Sequence, residues 1–444
     1  MPERPPQANR PRAADSPLVW LRSRGSLPEV KWIILVLVIP LSTGQRRTAP
    51  FLSGLLSLPG MLELGLVVAS GLIVYCAVRK APREFVRRLG SPWLLPLTAY
   101  AGLGLLSAAF SEFRLPALAY TVQTLVGLFL TVVVFGGLSG ERRFANLRPL
   151  GIVAGLSCVW VAATAAVNPA AEWIVDVRGD ARLGGVGLHA NQLGFQAALL
   201  GVVGVDLWRS AAATRRRIAA ALVVAVALPI LIATRGRADS LGFAAGVMAI
   251  LLFAGQWKWI AGGLVGLITV IALAPRLASQ AIGFVNRGLE LQTVSGRVAI
   301  WDYLIRHSLS SWKGRLIGEG IGTSPLVLRG AVEQWPFPSH AHNLLVEALN
   351  NAGIPGVVLV LASLATVGYG AWAIARRGTH AWRGGPALLL AVYILVLSVS
   401  VVEHSFAGRA NIYGFSYWAF AAASSARLGA GLRTAVGESP ADVS

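Results

Sequence analysis

The stretch Pro338-Ser339-His340-Ala341-His342-Asn343-Leu344-Leu345 closes a long polar interruption, and the chain beyond it turns apolar again. The interruption opens near Ala274, after a hydrophobic run, and carries Arg276, Arg287, Arg297, Arg306, Lys313, Arg315 and Arg329. Loops held by a rigid scaffold concentrate reactive groups, so chemistry is expected here. The apolar sequence on both sides is expected to be the scaffold.

Composition says what kind of scaffold. The chain is 55% hydrophobic and 13% charged, with a mean hydropathy of +0.63. A soluble globule carries roughly 25% charged residues, so this composition implies a polytopic membrane protein. The 49 glycines suit helices that pack closely in lipid. A net charge of +19 raises the question of nucleic acid. The basic residues fall in short clusters between apolar segments, which is the pattern of topology signals, so no nucleic-acid partner is expected. Cys76 and Cys158 lie inside apolar segments, which excludes a disulfide framework and zinc-type spacing.

A spanning helix needs about 20 mostly apolar residues, and about 12 such segments are expected. They run near Leu27 to Thr43, Leu58 to Val78, Pro92 to Phe110, Leu115 to Leu138, Leu150 to Val167, Asn191 to Trp208, Ile218 to Thr234, Ser240 to Gly255, Trp257 to Ala274, Leu344 to Ile374, Pro386 to Val402 and Phe406 to Ala426. The tenth is overlong and interrupted at Gly353-Ile354-Pro355-Gly356. The expected fold is thus an all-α membrane bundle with one large loop between helices 9 and 10. Its parts are a disordered tail over 1–26, membrane helices 1–9 over 27–275, the loop over 276–342, helices 10–12 over 343–426, and a tail over 427–444. The first residues read as a Pro- and Arg-rich tail and not as a signal peptide.

Arginine and lysine crowd alternate connections: Arg79, Lys80, Arg83, Arg87 and Arg88; Arg142, Arg143 and Arg148; Arg209, Arg215, Arg216 and Arg217; Arg376, Arg377 and Arg383. By the positive-inside rule these sit in the cytoplasm together with both termini, which sets the large loop outside. Arg178, Arg182, Arg235, Arg237 and Arg297 then lie on the outer side although the rule disfavours them there. Ionisable groups near membrane depth mark candidate functional sites, and guanidinium pairs with phosphate oxygens in bidentate fashion. The alternative is that these arginines snorkel to headgroups or pair with Asp176, Asp180 and Asp239. Of 6 histidines, His340 and His342 share one motif at a membrane boundary. Imidazole takes a proton from a hydroxyl near neutral pH; the alternative is a pair of interfacial histidines satisfied by backbone. A metal site is not expected, because His-x-His lacks a third ligand, although Glu347 follows Asn343 by a helical turn. Gly318, Gly320 and Gly322 read as turns, since a phosphate-cradling fingerprint needs a strand before it and different spacing. From Arg297 to Leu309, Val298, Trp301, Leu304, Ile305 and Leu309 share one helical face, which would either rest on the bilayer or pack on the bundle.

Several of these motifs, in this order, resemble the O-antigen ligase and polymerase superfamily. They are Arg235-Gly236-Arg237, Ser295-Gly296-Arg297 followed by Trp301, Gly318-Glu319-Gly320-Ile321-Gly322, and His340-Ala341-His342-Asn343-Leu344-Leu345 leading to Ala352-Gly353-Ile354-Pro355-Gly356. The likeness extends upstream to Arg182-Leu183-Gly184-Gly185 and Ala190-Asn191-Gln192-Leu193-Gly194, where Ala190 stands in place of a proline common in relatives.

The resemblance implies an enzyme of the bacterial inner membrane with a periplasmic active site. It would move O-antigen glycan from undecaprenyl diphosphate, the donor, to a sugar hydroxyl of lipid A core, the acceptor, without metal or other cofactor. Carried over residue by residue, the family's essential histidine falls on His342, with His340 second, and its essential arginines on Arg235 or Arg237 and on Arg297. Arg182 joins them as a candidate diphosphate ligand, with Asn343, Glu347, Asn191 and Trp301 in support. The expected mechanism is inverting displacement, with His342 as general base, arginines on the leaving diphosphate, and Asn343 or Glu347 orienting the imidazole. Alternatives are an O-antigen polymerase, a protein O-oligosaccharyltransferase and, from another class, a lipid-linked glycan flippase or exporter.

Overall fold

The computed structural model describes residues 58–135, 147–175, 181–184, 189–273, 297–329, 340–377, 386–401 and 412–435. The expected first span and the expected tail over 1–26 lie outside these residues, as do positions 274–296 and 330–339 of the large loop and 436–444 of the second tail, whose first half instead continues the last helix to Ala435. The described chain is mainly helical, and its helices coincide with the remaining apolar segments.

In order, these are α1 Leu58–Lys80, α2 Pro82–Leu89, α3 Leu95–Phe110, α4 Arg114–Phe135, α5 Arg148–Val167, α6 Pro169–Glu172, α7 Ala190–Ser210, α8 Thr214–Thr234, α9 Arg237–Phe253 and α10 Trp257–Leu273. Then come α11 Arg297–Ser310, α12 Trp312–Leu316, α13 Ser324–Arg329, α14 Leu344–Arg377, α15 Pro386–Ser400 and α16 Ile412–Ala435. Between α6 and α7 an antiparallel hairpin pairs β1 Trp173–Val175 with β2 Ala181–Leu183, setting Ile174 opposite Arg182. This hairpin is a small departure from the all-α expectation, and it will matter for the site.

Among the described residues, Arg114–Phe135, Leu150–Val167, Thr214–Thr234 and Leu344–Ala373 are long and apolar enough to cross a membrane. At 1.5 Å per residue the 21 residues of α8 reach about 32 Å, close to the ~30 Å hydrocarbon core. Pro82 bends α2 away from α1 by 110°, and together the two pass the same test. Helices α3 and α15 are apolar but shorter, at 16 and 15 residues. Ile218, Leu222, Val226 and Ile232 on α8, and Ile152, Leu156 and Val159 on α5, are exposed. Apolar surface on this scale fits contact with lipid.

Inside the bundle, glycines serve as notches. A Cβ on Gly242 would meet Leu395 at 2.8 Å, one on Gly246 the Ala391 carbonyl at 3.2 Å, and one on Gly127 the Trp418 ring at 2.8 Å. Helices α9 and α15, and α4 and α16, approach closely for that reason. The Gly242–Leu395 and Gly246–Ala391 neighbours also show that α9 and α15 run antiparallel, which brings Arg237 level with Ser400.

The overlong α14 is two helices joined at a break. Ala352 (φ −144°, ψ 18°) and Gly353 (φ 65°, ψ −163°) leave helical geometry. Pro355 has no N–H to give the Asn351 carbonyl, and the break takes the Ile354 N–H from the Asn350 carbonyl. The glycine-rich turn after α12 replaces both donors: Glu319 N–H bonds Asn350 O at 2.7 Å and Gly320 N–H bonds Asn351 O at 3.0 Å. Gly318, Gly320 and Gly322, with φ of 79°, 103° and 75°, let the turn wrap the break. At Gly353 a side chain would stand 2.5 Å from the Arg315 carbonyl, in a backbone region open essentially to glycine alone. Gly353→Ala is expected to cost about 2 kcal/mol or more and to lower the thermal midpoint in detergent; an unchanged midpoint would show that the break tolerates a Cβ.

Candidate functional site

Connections that alternate along the sequence collect at one end of the bundle. Ser111, after α3, donates to the Glu319 carbonyl. Arg182 on β2 donates from Nε to the Thr234 carbonyl at the end of α8 (2.8 Å) and from Nη2 to Asn191 Oδ1 at the start of α7. Asn343 Nδ2 donates to the Val401 carbonyl just beyond α15 (3.0 Å). The opposite end holds Ser91 against Ser425 (3.0 Å), Trp208 edge-on to Trp259 (5.4 Å between centroids) and the Arg209–Asp206 pair (3.4 Å). The basic clusters of Arg79 to Arg88 and Arg209 to Arg217 belong to that second end.

At the first end the His340-Ala341-His342 segment is held by its middle residue. Ala341 is fully buried. Its N–H donates to Glu347 Oε2 (3.2 Å), and its carbonyl accepts from Trp301 Nε1 (2.7 Å). Glu347, also buried, accepts the Ser324 hydroxyl at 2.9 and 3.0 Å, which ties α13 to the same anchor. Asn343 Oδ1 caps α14 by accepting the N–H groups of Leu345 (2.9 Å) and Val346 (3.1 Å). The two half-buried histidines therefore flank a clamped peptide. Arg297 lies one helical turn, about 6 Å, before Trp301 on the same face of α11.

The Arg235-Gly236-Arg237 turn is shaped by a different constraint. It joins α8 to α9 and leaves the last carbonyls of α8 without helical donors; Arg182 supplies one. Asp239, fully buried in the first turn of α9, lies so close to Gly194 that a Cβ there would meet its Oδ2 at 2.5 Å. A carboxylate at a helix N-terminus is favoured by the dipole and moderates the local positive charge. Asn191 is itself placed by His189, whose Nδ1 accepts the Asn191 N–H (3.3 Å).

Among the described residues, the non-glycine positions with positive φ are Arg235 and His342, both at 51°. Left-handed backbone costs an L-residue roughly 1–2 kcal/mol, and such residues collect at functional sites. Both lie at the same end of the bundle, and both were candidates from sequence alone.

The family comparison falls on these elements. Residues 221–361 match the O-antigen ligase family model, a segment running from α8 through both strained positions into α14. This match supports an O-antigen ligase/polymerase superfamily assignment. The superfamily points to a membrane glycosyltransferase of ligase or polymerase type. Arg182 and Asn191 lie outside the matched segment, and the structure alone joins them to it. No curated protein matches the chain significantly.

The geometry adds Thr234, Ser324, Ala341 and Val401 to the expected residues. Thr234 had a sequence signal, because the end of a helix always leaves carbonyls to satisfy. Ser324 and Val401 had none, since each reaches the site across a long chain separation. Asn343 and Glu347 were expected to orient an imidazole; the structure gives each a part in shaping the loop backbone.

Two outcomes test this arrangement. His342→Gly should melt above His342→Ala, by the equivalent of about 1 kcal/mol, because glycine relieves the left-handed strain that alanine retains. Trp301→Phe keeps an aromatic ring, though a smaller one, and leaves a buried carbonyl without a donor, at about 1–3 kcal/mol, and is expected to lower the melting midpoint; an unchanged midpoint would remove the clamp.

Proposed function

We propose that this protein transfers O-antigen glycan from undecaprenyl diphosphate to a sugar hydroxyl of lipid A core, at the periplasmic face of the inner membrane and without metal. The observation that carries the reading is the left-handed backbone at both Arg235 and His342, at one end of the bundle and within the family-matched segment. Strain held at an arginine and a histidine fits a cationic cleft with a base beside it.

In the proposed reaction the acceptor hydroxyl oxygen attacks the anomeric carbon of the donor sugar, and its proton passes to the His342 imidazole, with His340 as second candidate. The bond from that carbon to the diphosphate oxygen breaks, and the electron pair leaves with undecaprenyl diphosphate. Arg235, Arg237, Arg297 and Arg182 offset the charge that grows on the leaving group. Attack from the face opposite the leaving group inverts the anomeric centre. Trp301, Glu347 and Asn343 act as positioning residues by fixing the histidine loop, and Asn191 does so by holding Arg182.

The test combines purified protein with carrier-linked glycan and, separately, lipid A core, a second carrier-linked glycan, or a pilin-like peptide. Mass gained by lipid A core is the expected result. Gain by the second carrier-linked glycan instead would make the protein a polymerase, and gain by peptide an oligosaccharyltransferase; movement of the glycan across a bilayer without any gain would indicate transport. His342→Ala is expected to lower the transfer rate by about 10²–10⁴-fold with donor binding retained, and full activity in that variant takes His342 out of the mechanism.

A further inference from the structure

Helix α11 carries three kinds of surface, one more than a helix merely packed on a bundle needs. At 100° per residue, Ile300, Trp301, Leu304 and Ser308 face inward, and Leu304 and Ser308 are buried. Val298, Ile305 and Leu309 form a narrow flank beside them and are exposed. Asp302 and Arg306 form the next flank and pair with each other at 2.9 Å, also in the open. The single apolar face read from the sequence is thus split: Trp301 and Leu304 turn into the bundle, and Val298, Ile305 and Leu309 are left uncovered.

The uncovered flank continues into α12, where Trp312 is 67% and Leu316 56% exposed. There it meets the apolar surface of the spanning helices. Helix α12 crosses α14 at its break, with the Arg315 carbonyl against Gly353, and Ile354 and Val358 of the span Leu344–Ala373 are exposed immediately beyond. On the other side, Ser107 of α3 donates to the Ile317 carbonyl, and Leu106 and Phe110 of α3 are exposed next to it. Arg306 and Arg315, both exposed, edge the track.

We propose that α11 and α12 form a collar seated in the lipid headgroup layer, with Val298, Ile305, Leu309, Trp312 and Leu316 against acyl chains and Arg306 and Arg315 at lipid phosphates. Three observations select lipid as the occupant. The track borders a spanning helix, where the Arg315 carbonyl meets Gly353 and Ile354 and Val358 are exposed. Its far flank is charged, as on a helix lying half in water. A tryptophan stands at the junction, where amphipathic rings favour the interface. The collar then ties the Trp301 clamp, and with it Arg297, to the depth of the membrane surface. This inference rests on the membrane character of the chain and not on the reaction proposed above, so its test involves no glycan.

Cys76→Ser removes the exposed thiol, while the buried Cys158 stays. In that background Leu309→Cys, Trp312→Cys, Leu316→Cys, Asp302→Cys and Arg306→Cys each receive a nitroxide label, in nanodiscs of phosphatidylethanolamine and phosphatidylglycerol. Relative to 302 and 306, the ratio of oxygen to nickel-chelate accessibility is expected to rise several-fold at 309, 312 and 316. Nickel access at 312 and 316 equal to that at 302 would place the track in water and overturn the proposal. Exclusion of both reagents there would mean that protein, either a second copy or another chain, covers it, and would overturn it equally. Trp312→Phe keeps the apolar contact and needs no label: the fraction of fluorescence quenched by brominated phosphatidylcholine should fall in this variant, and an unchanged fraction counts against the collar.

Discussion

A backbone carbonyl in or near hydrocarbon must find a donor, and in α14 Pro355 denies one to Asn351. The placing of α11, α12 and the histidine loop follows from how that need is met. The glycine-rich turn brings the Glu319 and Gly320 N–H groups to the Asn350 and Asn351 carbonyls at 2.7 and 3.0 Å. Donors placed there hold α12 across the break, and α11 comes with it. Trp301 of α11 then reaches the Ala341 carbonyl just before α14 begins. The broken helix and the histidine loop are in this way two ends of one hydrogen-bonded circuit closed through α11 and α12.

At this end of the bundle the costs are unevenly placed. Most buried backbone groups described above are satisfied at ordinary distances, while left-handed backbone is imposed on Arg235 and His342. At roughly 1–2 kcal/mol each, these strains are affordable only because their neighbours are held from several directions. Ala341 is gripped at both its N–H and its carbonyl, and the turn at Arg235 is flanked by the Arg182–Thr234 bond and the enclosed Asp239. A loop left to itself would relax to negative φ and lose the orientation of the imidazole.

Charge follows the same division of the bundle into two ends. Arginines that a topology signal explains, such as those from Arg79 to Arg88 and from Arg215 to Arg217, gather at the end that also holds the Ser91–Ser425 and Trp208–Trp259 contacts. Arg182, Arg235, Arg237 and Arg297 belong to the other end, among elements shaped by specific hydrogen bonds. Two populations of one residue type thus sit in different settings: one in the short connections of the second end, the other within the hydrogen-bonded framework of the first.

Sequence alone determined the membrane class, the positions of most apolar helices among the described residues, the interruption at Gly353 and Pro355, and the turns at Gly318 to Gly322. Each of these is written in local composition, periodicity or the fixed chemistry of proline and glycine, which neighbours along the chain cannot hide. Tertiary structure decided what distant chain segments do to one another. It joined Arg182 to Thr234 and Asn191, Trp301 and Glu347 to Ala341, and Asn343 to Val401; it divided the apolar face of α11 into a packed part and an open one; and it imposed left-handed backbone on Arg235 and His342. The contacts Arg182–Thr234, Trp301–Ala341 and Asn343–Val401 were not legible beforehand, because a hydrogen bond across forty or more residues, like a strained φ, depends on packing that no short stretch of sequence encodes.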